Sequence, residues 1–279
     1  MAAPIVHPTA ILDGEIALAP GVEIGPHCVL RGRIRVGERT RLLGSVWIEG
    51  PAVIGARNTI YPFAALGMAP QDLKWDPARP GAGLVVGDDN VLREHVTIHR
   101  ATSDTRPTRI GSHGYWMTSC HAGHDCVVGD KAILATGTML AGVVELGDRV
   151  TIGGNVAIHQ FCRVGRGAML SGGVALNKDL PPYFMLTGTN VAGSLNVIGM
   201  RRSGMPRDHI DDVKWVYRAL YRRSRPTVAD AVERLSPRAD RPVVADYLAF
   251  FAGTKRGICP NRGVRARGTG GGATEVEPE

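Results

Sequence analysis

The chain has 279 residues, of which 44% are hydrophobic and 21% charged, so it can bury one sizeable core and is not disordered as a whole. It has neither the roughly 18 consecutive apolar residues that a membrane helix needs nor an apolar signal core, so we expect a cytoplasmic protein without a membrane span. The net charge of +7 favours acidic partners, and the five cysteines favour free thiols over a disulfide framework.

Apolar residues recur every six positions in two long runs. The first run is Ile24, Leu30, Val36, Leu42, Ile48, Ile54, Ile60 and Leu66. The second run is Ile110, Trp116, Ala122, Val128, Leu134, Leu140, Leu146, Ile152, Ile158, Val164, Leu170 and Leu176. A hexapeptide period is typical of a parallel β-helix, in which three hexads form one triangular coil and the apolar residues stack inside it. The sequence therefore predicts a β-helix domain over residues 1–188.

Two polar stretches interrupt the period, near residues 67–84 and near residues 100–109. The first contains the segment QDLKW and the second is ATSDTRPTR. Neither continues the hexads, so both are predicted to be loops that leave the coils. Loops on a rigid scaffold are a common place for binding and catalytic residues.

The period changes after about residue 188, where apolar residues begin to repeat at three and four positions. This spacing predicts a C-terminal helical domain over residues 189–258. One helix carries Ile210, Val213, Val216 and Leu220. Thr227 with Asp230 indicates a capped second helix, and a third begins near Pro242. Residues 259–279 are rich in glycine and charge, so we expect them to form a disordered tail.

The segment CHAGHDC at residues 120–126 raises the possibility of a metal site. Cys120 and Cys126 fall at the fifth place of their hexads, where other coils have small residues packed at a corner. His121 and His124 fall at the sixth and third places, which face outward. Because thiols and imidazoles then point to different sides of the wall, we predict no metal site there.

His124 is the candidate general base. A coil has 18 residues, so Gly142 lies directly above His124, where its backbone N–H can donate to an oxyanion. Asp125 either orients the imidazole or is surface charge. The competing interpretation is that His121, His124 and His159 are simply exposed side chains on a solvated face and have no catalytic role.

Six segments resemble the UDP-N-acetylglucosamine 3-O-acyltransferases, which catalyse the first step of lipid A biosynthesis, and they are HAGHDCVVGD, IHQFC, QDLKW, IHRAT, DLPPYFMLTG and NVIGMRRSG. The resemblance covers residues 5 to about 258. It implies a left-handed β-helix and a homotrimer with active sites between subunits. It also implies transfer of a 3-hydroxyacyl chain from acyl carrier protein to the 3-hydroxyl of UDP-N-acetylglucosamine. No cofactor is implied.

The resemblance also assigns roles to individual residues. His124 matches the catalytic base, Asp125 the acid that steadies it, and Gly142 the oxyanion donor. The matches to substrate-binding positions are Gln71, Asp72, Lys74, His121, His159, Gln160, Asn196 and Arg202. Gly172 matches the position that ends the acyl groove.

Three positions depart from the family pattern. Val143 replaces a histidine that follows the oxyanion glycine, Ile198 replaces an acidic residue, and Ser203 replaces a second arginine. We expect the reaction class to survive these changes, whereas the affinity for the acceptor and the choice of sugar depend on them. A 3-amino UDP-sugar is therefore an alternative acceptor.

Other classes of protein remain as alternatives. A γ-type carbonic anhydrase shares the β-helix, and His99, His121 and His124 would be its zinc ligands. The related N-acyltransferase carries a further domain before its hexads, and a purely structural β-helix would need no aligned histidine and glycine.

No nucleic-acid partner is expected, because the basic residues lack interleaved aromatics. The basic helical residues are suited to an acidic carrier protein or to a solvated face, and they are Arg201, Arg202, Arg207, Lys214, Arg218, Arg222 and Arg223.

Overall fold

The fold is seen in a computed structural model, which describes residues 2–76, 79–221 and 226–261. Short strands succeed one another along most of the chain. In chain order they are β1 (Ile5–Val6), β2 (Ile11–Asp13), β3 (Ile16–Leu18), β4 (Glu23–Ile24), β5 (Val29–Arg31), β6 (Ile34–Val36), β7 (Arg41–Leu42), β8 (Trp47–Glu49), β9 (Ala52–Ile54), β10 (Thr59–Ile60), β11 (Ala65–Met68), β12 (Leu84–Val86), β13 (Val91–Leu92), β14 (Thr97–His99), β15 (Thr108–Ile110), β16 (Tyr115–Trp116), β17 (His121–Ala122), β18 (Val127–Val128), β19 (Ile133–Leu134), β20 (Met139–Leu140), β21 (Glu145–Leu146), β22 (Thr151–Ile152), β23 (Ala157–Ile158), β24 (Arg163–Val164), β25 (Met169–Leu170), β26 (Ala175–Leu176), β27 (Phe184–Gly188) and β28 (Val191–Leu195).

In the described ranges these strands form three sheets, parallel except for the last pair, β27 and β28, because every third strand pairs with the next of its own sheet. The first sheet runs from β1 to β28, the second from β2 to β26 and the third from β3 to β24, with 11, 9 and 8 strands. Strand partners are 18 residues apart in the regular coils, as for Ala122 and Leu140. The predicted parallel β-helix of hexapeptide repeats is confirmed.

The apolar ladder fills the inside of the coils. Every member of the two six-residue runs is at most 3% exposed. Cys120 and Cys126, predicted to pack at corners, are fully buried beside the ladder, and so are Cys28 and Cys162. Burial raises the pKa of the Cys120 thiol to about 11 and that of Cys126 to about 12, so these cysteines pack as small apolar side chains.

The two interruptions are loops that bond to each other. One lies between β11 and β12 and the other between β14 and β15. The Ala82 amide donates to the Ser103 carbonyl at 2.7 Å, and the Ala101 amide donates to the Gly83 carbonyl at 3.1 Å. Arg79 and Asp104 form an ion pair across the two loops. The loops therefore form one structural unit at the side of the coils.

In the part of the chain that the structure describes, four α-helices follow the coils. They are α1 (Val197–Arg202), α2 (Arg207–Tyr221), α3 (Val228–Leu235) and α4 (Pro242–Ala252), with a 3₁₀ turn at Ser236–Arg238. The predicted apolar face of α2 is buried, and Thr227 with Asp230 forms a capping box on α3. Tyr247 of α4 is buried, and its hydroxyl donates to the Pro182 carbonyl at 2.6 Å, which fastens the helices to the last coil.

The structure differs from the sequence prediction at both ends of the helical region. Helical structure was expected from residue 189, but β28 pairs antiparallel with β27 and the first helix begins at Val197. The tail was expected from residue 259, but Cys259 is fully buried and its amide donates to the Asp179 carbonyl. The rest of the expected tail, residues 262–279, lies outside the described residues. Within the described ranges, no helix has both the length and the apolar character to cross a membrane.

Candidate active site

His124 and Asp125 form a hydrogen-bonded pair at the corner between the second and third sheets. Asp125 has a left-handed backbone with φ of 59°, which aspartate tolerates better than most residues. His124 Nδ1 donates to Asp125 Oδ2 at 2.7 Å. With the proton assigned to Nδ1 by this carboxylate, Nε2 is the basic nitrogen. The two side chains are 19% and 15% exposed, so the base is shielded but open to a substrate.

Asp125 is held in its charged form. Its burial would raise the pKa of the carboxyl, but hydrogen bonds from His124, from the Thr102 side chain and from the Ser103 and Thr102 amides outweigh that effect and lower the pKa to about 2. A charged Asp125 stabilises the imidazolium that forms when His124 accepts a proton. The interpretation of Asp125 as the residue that orients the base is therefore favoured over mere surface charge.

Gly142 lies one coil beyond His124 at the same corner, and its α-carbon faces the imidazole so closely that no β-carbon would fit. In the described part of the chain, the Gly142 N–H donates to no backbone or side-chain acceptor. A free amide beside a general base is the arrangement that stabilises the oxyanion of an acyl-transfer intermediate.

His121 lies on the second sheet beside this pair. Its Nδ1 is 2.8 Å from Thr97 Oγ1, and its ring packs edge-on against His99 with centroids 5.3 Å apart. Burial and the neighbouring His99 lower the pKa of His121 to about 4, so the ring is neutral at pH 7. A neutral imidazole has one donor and one acceptor nitrogen, and with Nδ1 on Thr97 the Nε2 atom is the one that can bond a sugar hydroxyl.

An open groove of about 650 Å³ runs along the second sheet away from His124. Gln71, His121, Gly142, His159 and Gln160 line it, so the structure brings these predicted residues together.

The groove has a floor that sequence analysis missed. Met139, Ala157 and Ala175 face outward from consecutive coils and supply that floor. Their 18-residue spacing from His121 is the signal that could have identified them.

The remaining predicted residues near the groove lie on the first loop or at the far end. Asp72 Oδ1 accepts a hydrogen bond from the Lys74 amide at 2.9 Å, so Asp72 shapes the loop while the Lys74 side chain is exposed. At the other end, Arg256 Nη2 donates towards His159 Nδ1 at 3.2 Å. Arg256 was not identified from the sequence, because it lies outside the hexads and the six motifs.

Asn196 and Arg202 do not lie in the His124 groove. They line a second groove of about 680 Å³ with Lys131, Arg149 and Arg166. Asn196 also caps α1, because its Oδ1 accepts a hydrogen bond from the Gly199 amide at 2.9 Å. One chain therefore carries two separate sets of the predicted substrate-binding residues.

Gly172 lies at the corner between the first and second sheets, after β25, and does not line the groove of its own chain. A β-carbon there would contact only the Gly154 backbone, with the Gly154 carbonyl oxygen at 3.2 Å. Its proposed role at the end of the acyl groove is not seen within one chain.

The carbonic anhydrase alternative finds no support in the geometry. Among the residues that the structure describes, no three histidine, cysteine, aspartate or glutamate side chains are arranged to hold a metal ion.

Known proteins resemble this chain in sequence and in structure. The family described as UDP N-acetylglucosamine O-acyltransferase, domain 2, matches residues 179–259. The acyl-[acyl-carrier-protein]–UDP-N-acetylglucosamine O-acyltransferase of Thiobacillus denitrificans is 39% identical over 258 residues, which are 91% of this chain and 98% of the relative. The protein of that name from Halorhodospira halophila is 39% identical over 256 residues, with the same coverage of 91% and 98%.

The solved structure of UDP-N-acetylglucosamine acyltransferase from Francisella novicida has a TM-score of 0.88 at 32% identity, covering 93% of this chain and 95% of that one. The likeness thus spans nearly the whole of both chains. The resemblance that the six motifs indicate is confirmed, and the chain belongs to the family of UDP-N-acetylglucosamine O-acyltransferases.

Proposed function

We propose that this protein transfers a 3-hydroxyacyl chain from acyl carrier protein to the 3-hydroxyl of UDP-N-acetylglucosamine. The observation that carries the proposal is the His124–Asp125 pair packed against Gly142, whose amide donates to no acceptor among the described residues, beside the groove. The names of the relatives supply the two substrates.

The geometry supports a mechanism of general base catalysis. His124 Nε2 takes the proton of the sugar hydroxyl while that oxygen attacks the thioester carbonyl carbon. The carbonyl oxygen becomes negative and accepts a hydrogen bond from Gly142 N–H. The carbon–sulfur bond then breaks, and the sulfur of the carrier's arm takes the proton from the His124 imidazolium. Charged Asp125 stabilises that imidazolium throughout.

The groove suggests how the substrates bind. The floor of Met139, Ala157 and Ala175 suits an acyl chain, because burying each methylene contributes about 0.8 kcal/mol. Gln71 and His121 line the groove, and we propose that they contact the sugar nucleotide together with Asp72 and Lys74 of the first loop, where Lys74 would offer a point charge to the phosphates. His159 and Gln160 would contact the acyl chain or the carrier's arm.

We further propose a homotrimer in which the active site lies between subunits, with the reaction in the cytoplasm. The separation of the His124 groove from Asn196 and Arg202 within one chain supports this arrangement, because a neighbouring chain could bring its second groove to the first. The mass in solution should then be three times the chain mass of 29.8 kDa. A monomer that is fully active would contradict the proposal.

The activity is tested with UDP-N-acetylglucosamine and a panel of 3-hydroxyacyl carrier proteins, with the product identified by mass spectrometry. His124→Ala should keep its secondary structure and lose roughly two to four orders of magnitude in turnover. His7→Ala, at an exposed site on the first coil, is the matched control and should retain full turnover. A folded His124→Ala protein with normal turnover would contradict the mechanism.

The shared site is tested by mixing two inactive chains. His124→Ala and Arg202→Ala chains, co-expressed with different tags, should form mixed trimers that regain activity, because one interface then holds both intact residues. If the mixed trimers stay as inactive as either variant alone, the two grooves do not serve one site.

The acyl-chain ruler is tested by Gly172→Met, which should shift preference towards a shorter acyl chain. A few buried methylenes are worth about 1 to 3 kcal/mol of discrimination, enough for a clear change. Unchanged preference would show that the groove ends elsewhere.

A further inference from the structure

The second loop contributes a group of donors that converge on Asp125. Thr102 Oγ1 donates to Asp125 Oδ2 at 2.6 Å, and the Thr102 amide donates to the same oxygen at 3.1 Å. The Ser103 amide donates to Oδ1 at 3.2 Å. These two residues belong to the stretch that breaks the hexad repeat, so the repeat itself does not predict their contact with the His124–Asp125 pair.

Thr102 bonds the same carboxylate oxygen as His124, the proposed base. Asp125 Oδ2 accepts from Thr102 and also from His124 Nδ1. With Oδ1 bonded to Ser103, the carboxylate has contacts at both oxygens and cannot rotate without losing at least one of them. The Asp125 amide also donates to Thr108 Oγ1 at 2.9 Å, which holds the backbone of the turn.

The loop that carries these donors is itself braced. The Ser103 carbonyl accepts from Ala82, while the Ser103 amide donates to Asp125. One peptide segment thus joins the first loop, which holds Gln71 and Lys74, to the Asp125 carboxylate.

We propose that Thr102 is a positioning residue for the base: its hydroxyl holds the Asp125 carboxylate in the orientation at which Oδ2 bonds His124 Nδ1. The proposal rests on the proposed function of His124. It assigns a catalytic purpose to the second loop, which none of the matched motif roles covers. Charge-assisted hydrogen bonds are among the strongest in proteins, so the loss of this one should be measurable.

The test compares Thr102→Val, which keeps the shape and removes the hydroxyl, with Thr102→Ser, which keeps the hydroxyl. Thr105→Val is the matched control, because Thr105 lies in the same loop and its hydroxyl reaches Ser103 rather than Asp125. For Thr102→Val we expect kcat to fall about tenfold with KM for the sugar nucleotide unchanged. Thr102→Ser and Thr105→Val should keep kcat within about twofold of the parent.

A second readout does not depend on activity. The downfield proton resonance of His124 Nδ1, assigned by its loss in Asp125→Asn, should shift or broaden in Thr102→Val and remain in Thr102→Ser and Thr105→Val. If the parent catalyses no acyl transfer, the proposed function fails, yet this resonance still decides the role of Thr102.

Three results would overturn the proposal. They are an unchanged kcat and resonance in Thr102→Val, an equal loss in Thr105→Val, and a loss that appears wholly as a raised KM. The last two would show that the substitution merely disturbs the loops. If Thr102→Val fails to fold, Thr102→Ala carries the same comparison.

Discussion

The α-carbon of Gly142 faces the His124 imidazole so closely that a β-carbon at position 142 would lie 2.6 Å from Nε2 and 2.7 Å from Cε1. Real β-carbons do not approach other atoms so closely, so any other residue at this position would displace the ring. The glycine is therefore required to leave room for the His124 ring, and its amide is the proposed oxyanion donor.

Gly142→Ala should fold normally and lose at least about a hundredfold in kcat, because removal of a well-placed oxyanion donor alone has that effect and the base is displaced as well. Gly154→Ala is the matched control, since a β-carbon there meets only the Thr136 carbonyl, at 3.3 Å. The two variants are compared by steady-state kinetics and circular dichroism. A Gly142→Ala enzyme with normal kcat would show that the amide and base act elsewhere.

The cysteines should behave as packing residues. All five are buried, and burial raises the pKa of Cys120 to about 11 and of Cys126 to about 12. At pH 8 the folded protein should therefore react with a thiol reagent far more slowly than the unfolded protein, in which all five react. Cys120→Ala and Cys126→Ala should each cost about 1 kcal/mol in the free energy of unfolding and leave the metal content unchanged. Stoichiometric zinc that disappears with either substitution would contradict the corner assignment.

The hexad period predicted the inside of the coils well, because each sixth residue must point inward wherever the coil continues. It also placed Gly142 over His124 and the cysteines at the corners. It could not predict the contact between Thr102 and Asp125, since Thr102 lies in a loop whose path follows no period. The short helix α1 was missed for a related reason: its six residues include Gly199 and are too few to show a repeat.

The acid sensitivity of the protein should depend on His121. Burial and the neighbouring His99 lower its pKa in the folded state to about 4, from an ordinary value near 6.5. The unfolded chain therefore binds more protons between these values, and the free energy of unfolding should fall as the pH drops from about 6.5 to about 4. His121→Gln removes the group, so its stability should change less over this window.

The difference should be on the order of 1 to 2 kcal/mol, discounted because the ring is partly exposed. It is measured by urea unfolding at fixed protein concentration at pH 7, 5.5 and 4.5. Equal pH dependence in parent and variant would show that His121 is not desolvated. His99 also has a lowered pKa, so it should account for part of the pH dependence of the free energy of unfolding that remains in His121→Gln.

Val143 has a strained backbone next to Gly142, the proposed oxyanion donor. Its φ is 62°, in the left-handed region, and it is the β-branched residue in a corner place where other coils have Asp125, Lys131, Arg149 or Asn155. A β-branched side chain in this region is a true outlier and costs on the order of 1 to 3 kcal/mol. The backbone is held there by the Val143 amide, which donates to the His124 carbonyl at 2.9 Å.

Val143→Asn should therefore stabilise the protein by about 1 kcal/mol, because asparagine adopts the left-handed region readily, whereas Val143→Ala should gain less, since it removes only the branching.

The same relief of backbone strain applies to Val143→His, which restores the side chain of the family pattern and adds a hydrogen-bonding group next to Gly142. If that group contacts the sugar, KM for UDP-N-acetylglucosamine should fall by about twofold to tenfold, the effect of one neutral hydrogen bond. Urea unfolding measures the first effect and steady-state kinetics the second, with Val143→Asn as the reference for strain relief alone. Stability that does not rise in Val143→Asn would mean that packing of the valine outweighs its backbone cost, and an equal KM in the His and Asn variants would place position 143 away from the sugar.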